Sequence, residues 1–278
     1  MNQKISAIMC VHNEEKLIKR ALDSLRGVAD EILIMHDGPC SDNTLKIARK
    51  YTSKIIINKE NIGLPGPILP VLLRKAKGPW ILKIDADEFL SKEMRDNIRK
   101  LAENKEVSAY TFRWLLWDGK KYVTKNLPRK PSLYRKSKIS YLGFPHFDDP
   151  KIRGKIIDTP YQLHHRPIMN RPLFNWHDFV HKALYRYGRL QAEYTLKDFN
   201  SLDKFQWPEK DYQLAIRIRR RFPALSAFPM AIASFFRVLF TNNAYKEGKP
   251  VFIEAFQTIL YYLWTGWYIH KLKLRTNN

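Results

Sequence analysis

Two aspartates, Asp85 and Asp87, follow a largely apolar run at residues 80–84. Alternate residues of an extended segment point to the same side, so both carboxylates can face one ligand. Hard divalent cations such as Mg²⁺ and Mn²⁺ take oxygen ligands and bridge readily to diphosphate oxygens. The spacing favours a divalent-metal site, and the alternative is a strand end whose acidic residues cap the next helix.

Acidic residues also follow two earlier apolar runs. Glu14 comes shortly after residues 5–11, and Asp37 comes shortly after residues 32–35. Open parallel sheets bind ligands outside the carboxyl ends of their strands, where side chains are not committed to the core. The chain has a net charge of +22 and does not need three acidic clusters at such positions for solubility. The clusters therefore indicate a ligand site.

The segments that must position these residues are alternately predicted as strands and as helices. Apolar runs predict strands at residues 5–11, 32–35, 55–57 and 80–84, and apolar residues at helical spacing predict helices at residues 17–25, 45–51, 67–76 and 91–101. This alternation predicts an α/β fold with a mostly parallel sheet flanked by helices.

The pattern changes beyond residue 108. Residues 109–114 and 122–124, on either side of an Asp-Gly turn, predict a hairpin. Residues 127–172, which are rich in Pro and Gly, predict loops and short strands. Residues 176–194 carry apolar side chains at helical spacing and predict one amphipathic helix.

Composition excludes several classes of protein. Of the 278 residues, 45% are hydrophobic and 13% aromatic, which excludes a disordered basic tail. Two cysteines, Cys10 and Cys40, are too few for a disulfide-stapled secreted scaffold and favour a reducing compartment. The N-terminal residues enter a strand-like run directly, so no signal peptide is predicted.

Four segments resemble the donor-binding segments of family 2 glycosyltransferases and occur in the same order: residues 8–15 (IMCVHNEE), 37–44 (DGPCSDNT), 61–63 (NIG) and 77–88 (KGPWILKIDADE). The resemblance extends over residues 5–105. The Asp-Ala-Asp-Glu form of the last segment, with the later Leu163-His164-His165, is most similar to lipopolysaccharide-core glucosyltransferase-like members. The second segment departs from the family at Pro39, Cys40 and Asn43, where the family usually has Gly, Ser and Gly.

The resemblance implies a GT-A fold and transfer of a sugar from a nucleotide-sugar donor, with Mn²⁺ or Mg²⁺ as cofactor. By position, Asp37 would contact the nucleotide base, Asp85 would lie near the ribose and diphosphate, and Asp87 would bind the metal. The residues that would line the nucleotide pocket are Val11, Asn13 and Glu14.

An inverting transfer needs a base that takes the proton of the acceptor hydroxyl. The family places this carboxylate after the Asp-x-Asp motif, and here Asp149 or Asp148 is the predicted base, within the run FPHFDDP at residues 144–150. The alternative is an ordinary Asp-Pro turn. Glu88 is the second choice, although its place beside the metal motif suits a positioning role better.

Two adjacent histidines, His164 and His165, follow a strand-like run. A neutral imidazole is a suitable third metal ligand, and the family often supplies one from this part of the chain. One of the two is therefore predicted to join Asp87 at the metal. The alternative is a hydrogen-bonding histidine in the core.

The carboxy-terminal third combines aromatic, apolar and basic residues. A basic run at residues 217–221 precedes apolar stretches at residues 222–240 and 251–269, each of which contains an ionisable residue. A spanning helix needs about 20 predominantly apolar residues, whereas aromatic residues with flanking Lys and Arg suit the membrane interface. We predict a catalytic domain at residues 1–170 and a helical extension at residues 171–278 that attaches to an anionic membrane surface. The alternative is a pair of buried core helices with a basic face.

The sequence thus predicts a metal-dependent, inverting glycosyltransferase in the cytoplasm, peripheral on the inner face of the cell membrane. Its donor is a nucleotide sugar, and its acceptor is a lipid-linked or cell-envelope saccharide. A polyprenyl-phosphate sugar synthase is the near alternative because it shares the donor half. A nucleic-acid-binding protein would explain the charge but not the acidic strand ends, which repel phosphates unless a metal intervenes, so nucleic acid is not a predicted partner.

Overall fold

A computed structural model of the chain describes residues 3–117, 119–122, 128–141, 143, 149–168, 176–196, 210–240, 245 and 249–276. The chain divides into two compact units. The first unit comprises Met1–Gly143 and Phe147–Asn170, and the second comprises Phe144–His146 and Arg171–Asn278.

The first unit is built on an eight-stranded sheet in the order β3-β2-β1-β4-β7-β6-β10-β5. Its strands are β1 (Ile5–Val11), β2 (Glu31–His36), β3 (Ile55–Ile57), β4 (Trp80–Lys83), β5 (Glu88–Leu90), β6 (Val107–Leu116), β7 (Arg129–Arg135) and β10 (Lys155–His165). Two short strands, β8 (Ile139–Ser140) and β9 (Lys151–Ile152), pair separately. Strand β1 is parallel to both β2 and β4, β2 to β3, and β6 to β10, whereas β7 and β5 pair antiparallel. The predicted mostly parallel α/β sheet is confirmed.

Four helices flank this sheet: α1 (Ile18–Ser24), α2 (Thr44–Ala48), α3 (Leu69–Lys75) and α4 (Lys92–Glu103). Helix α4 is capped by Ser91, whose Oγ accepts a hydrogen bond of 3.1 Å from the Met94 amide. Strand β1 is buried on both faces, since Val11 belongs to the apolar cluster that includes residues of α1 and α4, and Ile8 belongs to the cluster that includes residues of α3. The continuous apolar run of β1 reflects this double burial.

Strands β7 and β10 occupy the region for which the sequence predicts loops and short strands. Each contains a proline, Pro131 in β7 and Pro160 in β10. A proline removes a ladder donor, and strands tolerate it at irregularities. The pairing of β10 with β6 shifts register between Asp158 and Gln162, on either side of Pro160. This interruption hides the strand pattern in the sequence.

The second unit is helical in the residues described. It contains α5 (Trp176–Asp178), a π-helical segment (Phe179–Gly188), α6 (Arg189–Leu196), α7 (Lys210–Arg221), α8 (Pro223–Phe240) and α9 (Lys249–Thr276). The helix predicted over residues 176–194 is present as one continuous helical run, and its middle, Phe179–Gly188, is π-helical. A pattern of apolar residues does not distinguish these two helix types over so short a stretch.

Helices α8 and α9 pack at close range through small residues. A Cβ at Gly266 of α9 would lie 2.5 Å from the Cβ of Ala227 and 2.9 Å from the carbonyl oxygen of Pro223 on α8. The opposite side of α8 carries exposed large apolar side chains, which we call the apolar face of α8: Leu225, Phe228, Ile232, Phe236 and Phe240. By length and composition alone, Pro223–Phe240 is the one helix among the described residues that could cross a membrane, with a mean hydropathy of 1.5.

Candidate active site

The Asp-x-Asp segment links β4 to β5 and is held by a buried lysine of β7. The Nζ of Lys130 lies 2.8 Å from Oδ2 of Asp85 and 2.6 Å from Oε1 of Glu88. Glu88 is fully buried, and its carboxylate also accepts hydrogen bonds from Trp114 Nε1 at 2.6 Å and from the Asp85 amide at 3.0 Å. Both oxygens of Glu88 are therefore engaged, which suits a positioning role and does not favour Glu88 as the base.

Charge pairing sets the protonation of this cluster. Burial opposes ionisation of Asp85, but Lys130 and then Lys83 outweigh it and hold the Asp85 pKa well below its usual range. Burial raises the pKa of Glu88, and Lys130 offsets only part of that rise. Burial likewise opposes the charge of Lys130, yet Asp85 and Glu88 raise the Lys130 pKa. Asp85 is thus an anion beside a cationic lysine.

Asp87 lies beside one of the two predicted histidines. The antiparallel pairing of β5 with β10 sets His165 opposite Glu88, and His165 Nε2 lies 3.1 Å from Asp87 Oδ2. The neighbouring His164 is stacked on Phe89 with ring centroids 4.6 Å apart, and burial lowers its pKa. Successive strand residues point to opposite faces, so only His165 shares the side of Asp87.

The Asp87–His165 pair fits two positions of a divalent cation. Ligand atoms at neighbouring octahedral positions, about 2.1 Å from the ion, are about 3.0 Å apart. The observed 3.1 Å between Nε2 and Oδ2 matches that separation. Within the described ranges, no group of three or more His, Cys, Asp or Glu side chains is placed to hold a metal by itself. A cation at this pair would need further ligands from elsewhere.

Asp37, at the end of β2, is a buried carboxylate that organises a loop. Its Oδ1 accepts hydrogen bonds from the Ile62 amide at 2.9 Å and from Asn58 Nδ2 at 3.2 Å, and its Oδ2 accepts one from the Gly63 amide at 2.7 Å. Gly38 has φ +86°, and a Cβ there would lie 2.9 Å from the Cβ of Asn61. Contact of Asp37 with a nucleotide base stays a prediction.

The turn after β1 is tied to the turn after β2. The carbonyl of Val11 accepts a 2.8 Å hydrogen bond from the Asp37 amide. Asn13 adopts a left-handed backbone with φ 54°; its amide donates to His36 Nε2 at 3.3 Å, and its Oδ1 accepts from the Ser41 amide at 2.9 Å. These contacts make Asn13 a structural link between the two turns, beside any role in binding a nucleotide.

Glu14 lies within reach of the Asp-x-Asp segment. Its pKa is raised to about 7, first by burial and then by the negative charges of Asp87, Asp42 and Asp85. The Glu14 amide donates a 2.6 Å hydrogen bond to Oγ1 of Thr44, at the start of α2. The predicted convergence of the first and fourth strand ends is therefore present.

The two predicted bases are the adjacent Asp148 and Asp149. Asp148 lies outside the described residues. Asp149 is described and exposed. Burial raises the pKa of Tyr134 well above its usual range, with further contributions from Tyr141, Asp149 and Asp85. Asp149 and Asp85 thus act on the same phenol, and the assignment of the base stays a prediction.

Three residues of the site were not singled out from the sequence. Lys130 and Trp114 hold Glu88 from strands β7 and β6. His36 is fully buried, and its Nδ1 pairs with the Gly38 carbonyl at 2.7 Å. A lysine or tryptophan in a strand gives no local sign of its partner, whereas His36 directly precedes Asp37 and could have been found from that position.

Comparison with known proteins assigns a family to this arrangement. The family described as "Glycosyl transferase family 2" matches residues 6–156, more than half of the chain. An "uncharacterized glycosyltransferase" of Rickettsia bellii is 34% identical over 110 residues, which are 40% of this chain and 36% of that protein. The poly(ribitol-phosphate) beta-N-acetylglucosaminyltransferase TarS of Staphylococcus aureus is 34% identical over 100 residues, with coverage of 32% of this chain and 17% of TarS.

Among solved structures, S. aureus TarS 1–349 in complex with UDP-GlcNAc is similar with a TM-score of 0.49 and 18% identity. That alignment covers 92% of this chain and 90% of that one. The chain spans well under half the length of the curated relatives just named.

Proposed function

Because the chain belongs to glycosyl transferase family 2 and has the GT-A fold, we propose that its acidic strand ends bind a nucleotide-sugar donor together with a divalent cation. Transfer of a sugar, as expected of a member of this family, is the proposed activity. The observation that carries the proposal is the 3.1 Å approach of His165 Nε2 to Asp87 Oδ2, next to the anionic Asp85.

Asp87 and His165 are the proposed ligands of Mn²⁺ or Mg²⁺, and diphosphate oxygens of the donor are the proposed remaining ligands. Such an ion, when bound, neutralises charge that develops on the leaving diphosphate. Asp85 is proposed to orient the ribose and diphosphate, with Lys130 fixing its carboxylate. Val11, Asn13, Glu14 and Asp37 are proposed to form the nucleotide pocket.

The transfer is proposed to invert the configuration at the anomeric carbon. The acceptor oxygen bonds to that carbon on the face opposite the diphosphate, the bond from carbon to diphosphate breaks, and Asp149 or Asp148 takes the hydroxyl proton. Asp149 is exposed, and its negative charge acts on the same Tyr134 as that of Asp85 does.

We propose a saccharide of the cell envelope, free or lipid-linked, as the acceptor. The named relative TarS acts on poly(ribitol-phosphate), and a net charge of +22 suits an acceptor that carries phosphate. The similarity to lipopolysaccharide-core enzymes stays a prediction about the choice of acceptor.

We propose that residues 171–278 attach the enzyme to the inner face of the cytoplasmic membrane, and that residues 1–170 carry the catalytic site. The apolar face of α8 is exposed, and the same helix carries the exposed Arg237. Exposed aromatic side chains with nearby cations match the membrane interface.

Titration calorimetry with a panel of nucleotide sugars, with and without Mn²⁺, tests the donor site. Wild type should bind one donor in a Mn²⁺-dependent way, and Asp87→Asn should weaken that binding about tenfold or more because it removes a ligand charge. The matched control is Asp96→Asn, which changes an exposed aspartate of α4 paired with Lys92. Unchanged Mn²⁺-dependent binding by Asp87→Asn would exclude the proposed metal site.

The adjacent histidines offer a second, internal comparison. His165→Ala should weaken Mn²⁺-dependent donor binding as Asp87→Asn does, whereas His164→Ala should leave the Mn²⁺ dependence intact because His164 faces Phe89. The reverse ranking would show that His164 is the ligand.

A further inference from the structure

A buried arginine in the second unit has two donor atoms without an acceptor among the described residues. Arg219 of α7 is only 5% exposed, and its Nε and Nη2 are buried with no hydrogen-bond partner in that part of the chain. The aromatic side chains that act on its charge are Tyr261 and Tyr262 of α9. An unpaired buried charge is costly, and proteins avoid it unless a partner or ligand compensates.

A second unpartnered donor lies on the same helix as those tyrosines. Gln257 of α9 is 6% exposed, and its Nε2 is buried with no hydrogen-bond partner in the described part of the chain. Gln257 and Tyr261 are four residues apart, so they share one side of α9. Arg219, on whose charge Tyr261 acts, and Gln257, one helical turn from Tyr261, together have three N–H-bearing atoms that are unpartnered donors among the described residues.

Several oxygen atoms of the second unit accept hydrogen bonds from donors other than Arg219 and Gln257. Gln191 Oε1 accepts from the Tyr261 hydroxyl at 3.3 Å, the Thr195 carbonyl accepts from Arg220 Nε at 2.9 Å, and the Arg220 carbonyl accepts from Lys273 Nζ at 3.0 Å. A water molecule would supply an acceptor but no negative charge. A group with several acceptor oxygens and a negative charge satisfies both needs, and phosphate is such a group.

Apolar side chains flank the arginine on α7 and at the start of α8. Ile218 is 46% exposed and Phe222 is 49% exposed, and Leu225 follows as the first residue of the apolar face of α8. A ligand held by its phosphate at Arg219 could therefore lay a hydrocarbon chain along exposed apolar surface. An amphiphile combines these two parts in one molecule.

We propose that Arg219 and Gln257 bind the phosphate headgroup of a lipid. Arg219 presents Nε and Nη2, the pair of donors that binds phosphate in bidentate fashion, and Gln257 Nε2 adds a third donor. This inference deepens the proposed membrane attachment and rests on it for the source of the phosphate, but it is independent of the donor site. Arg219 and Gln257 would make binding specific for phosphate, whereas the apolar face of α8 would bind any membrane.

Vesicle flotation with the full chain tests the site. Phosphatidylcholine vesicles that contain phosphatidic acid are compared with vesicles brought to the same charge by oleic acid, which offers carboxylate in place of phosphate. Wild type should bind the phosphatidic acid vesicles more tightly, and Arg219→Gln should lose about tenfold of that preference because charged hydrogen bonds are lost. Gln257→Leu should lose part of the preference.

The control is Arg237→Gln, which removes an exposed charge on α8. It should weaken binding to both kinds of vesicle equally. Equal binding of wild type to the two kinds of vesicle, or an undiminished preference in Arg219→Gln, would overturn the proposal. If Arg219→Gln does not fold, the preference of Gln257→Leu decides in its place.

Thermal unfolding with inorganic phosphate separates the two sources of phosphate. Phosphatidic acid should raise the Tm of wild type and not that of Arg219→Gln, whereas inorganic phosphate should leave both unchanged. A rise with inorganic phosphate equal to that with the lipid would overturn the lipid assignment. Arg219→Gln should retain nucleotide-sugar binding, and Asp87→Asn should retain the lipid preference, so failure at one site is distinguishable from failure at the other.

Discussion

Lys130 is a single side chain that pairs with the buried carboxylate of Glu88 and the half-buried carboxylate of Asp85. It contacts Asp85 and Glu88 at 2.8 and 2.6 Å, and it is 12% exposed. Removing the partner of a buried charge usually destabilises a protein more than the pair itself stabilises it, because the remaining charge stays desolvated. Lys130 is therefore a positioning residue on which the geometry of the Asp-x-Asp segment rests.

Lys130→Met should lower the free energy of unfolding by about 3–5 kcal/mol. Urea unfolding followed by circular dichroism measures this loss. The control Lys92→Ala breaks an exposed pair, with 84% and 55% exposure for Lys92 and Asp96, and should cost less than about 1 kcal/mol. Equal stability of the two variants would show that the cluster does not depend on Lys130.

Glu14 makes stability depend on pH in a defined direction. Its pKa is raised from 4.5 to about 7, so between these values the folded protein keeps a proton that the unfolded chain has released. By linkage, its contribution to stability is lost as the pH rises through this window.

Glu14→Gln should remove that dependence. The free energy of unfolding of wild type relative to Glu14→Gln should fall as the pH rises from 4.5 to 7, by at most about 1.4 kcal/mol per pH unit. The lowered pKa of His164 acts in the opposite direction but is common to both proteins. Urea unfolding at several pH values measures the difference, and a constant difference would contradict the assigned pKa.

The acidic residues of the site and their order along the chain could be predicted from the sequence, but their partners could not. Asp85, Asp87 and Glu14 were predicted to meet because strand ends meet. Lys130 lies 45 residues from Asp85, and its burial depends on how β7 pairs with its neighbours. No local pattern could reveal that pairing.

Among the elements, the close contact of α8 with α9 depends on a missing side chain. Gly266 has no Cβ, and Ala227 occupies the space where one would lie. A glycine inside a helix usually costs about 1 kcal/mol relative to alanine. Here the contact with the neighbouring helix outweighs that cost, since a Cβ at this position would also meet the backbone oxygen of Pro223.

Gly266→Ala should therefore destabilise the protein, against the trend of helix propensity. Overpacking of about 1–3 kcal/mol should exceed the gain of about 1 kcal/mol from propensity. Adding Ala227→Gly should recover part of the loss, because it removes the Cβ that lies 2.5 Å away. A double-mutant cycle in thermal unfolding measures the coupling, and additive effects would contradict the contact.

Irregular strands and helices are the elements that the sequence patterns do not predict. Strands β1 to β4 and helices α1 to α4 were predicted because each keeps one periodicity along its length. Strand β10 changes register beside Pro160, and the helix after Trp176 changes from α to π at Phe179. Such irregularities are stabilised by neighbouring elements, so a local pattern does not predict them.

The net charge of +22 is distributed unevenly along the chain. Residues 1–150 contain 28 basic and 18 acidic residues, a net of +10, and residues 151–278 contain 21 and 9, a net of +12. The shorter part has the higher charge density and also the apolar face of α8. A basic residue near an anionic membrane contributes on the order of 1 kcal/mol, and salt screens it.

Binding to anionic vesicles should therefore have a component that depends on salt and one that does not. Phe228→Ser with Phe236→Ser should weaken binding at least about tenfold at every salt concentration, because two apolar contacts are lost. Raising the salt concentration should weaken the vesicle binding of wild type and of this variant by the same factor. Ile57→Ser, at a 49% exposed position of the first unit, is the control and should bind as wild type does. Salt-independent binding would contradict the role given to the charge.

The register of β10 has a consequence for insertions and deletions. Between Asp158 and Gln162, β10 advances four residues while β6 advances two, from Thr111 to Arg113. The surplus is an even number, so side chains beyond it keep their faces. Losing one residue from 159–161 would make the surplus odd, and a slip of one residue beyond it would place Arg166 opposite Glu88 in place of His165 and turn Leu163 out of the core. A deletion outside the site would thus separate His165 from Asp87 while every site residue remained in the sequence.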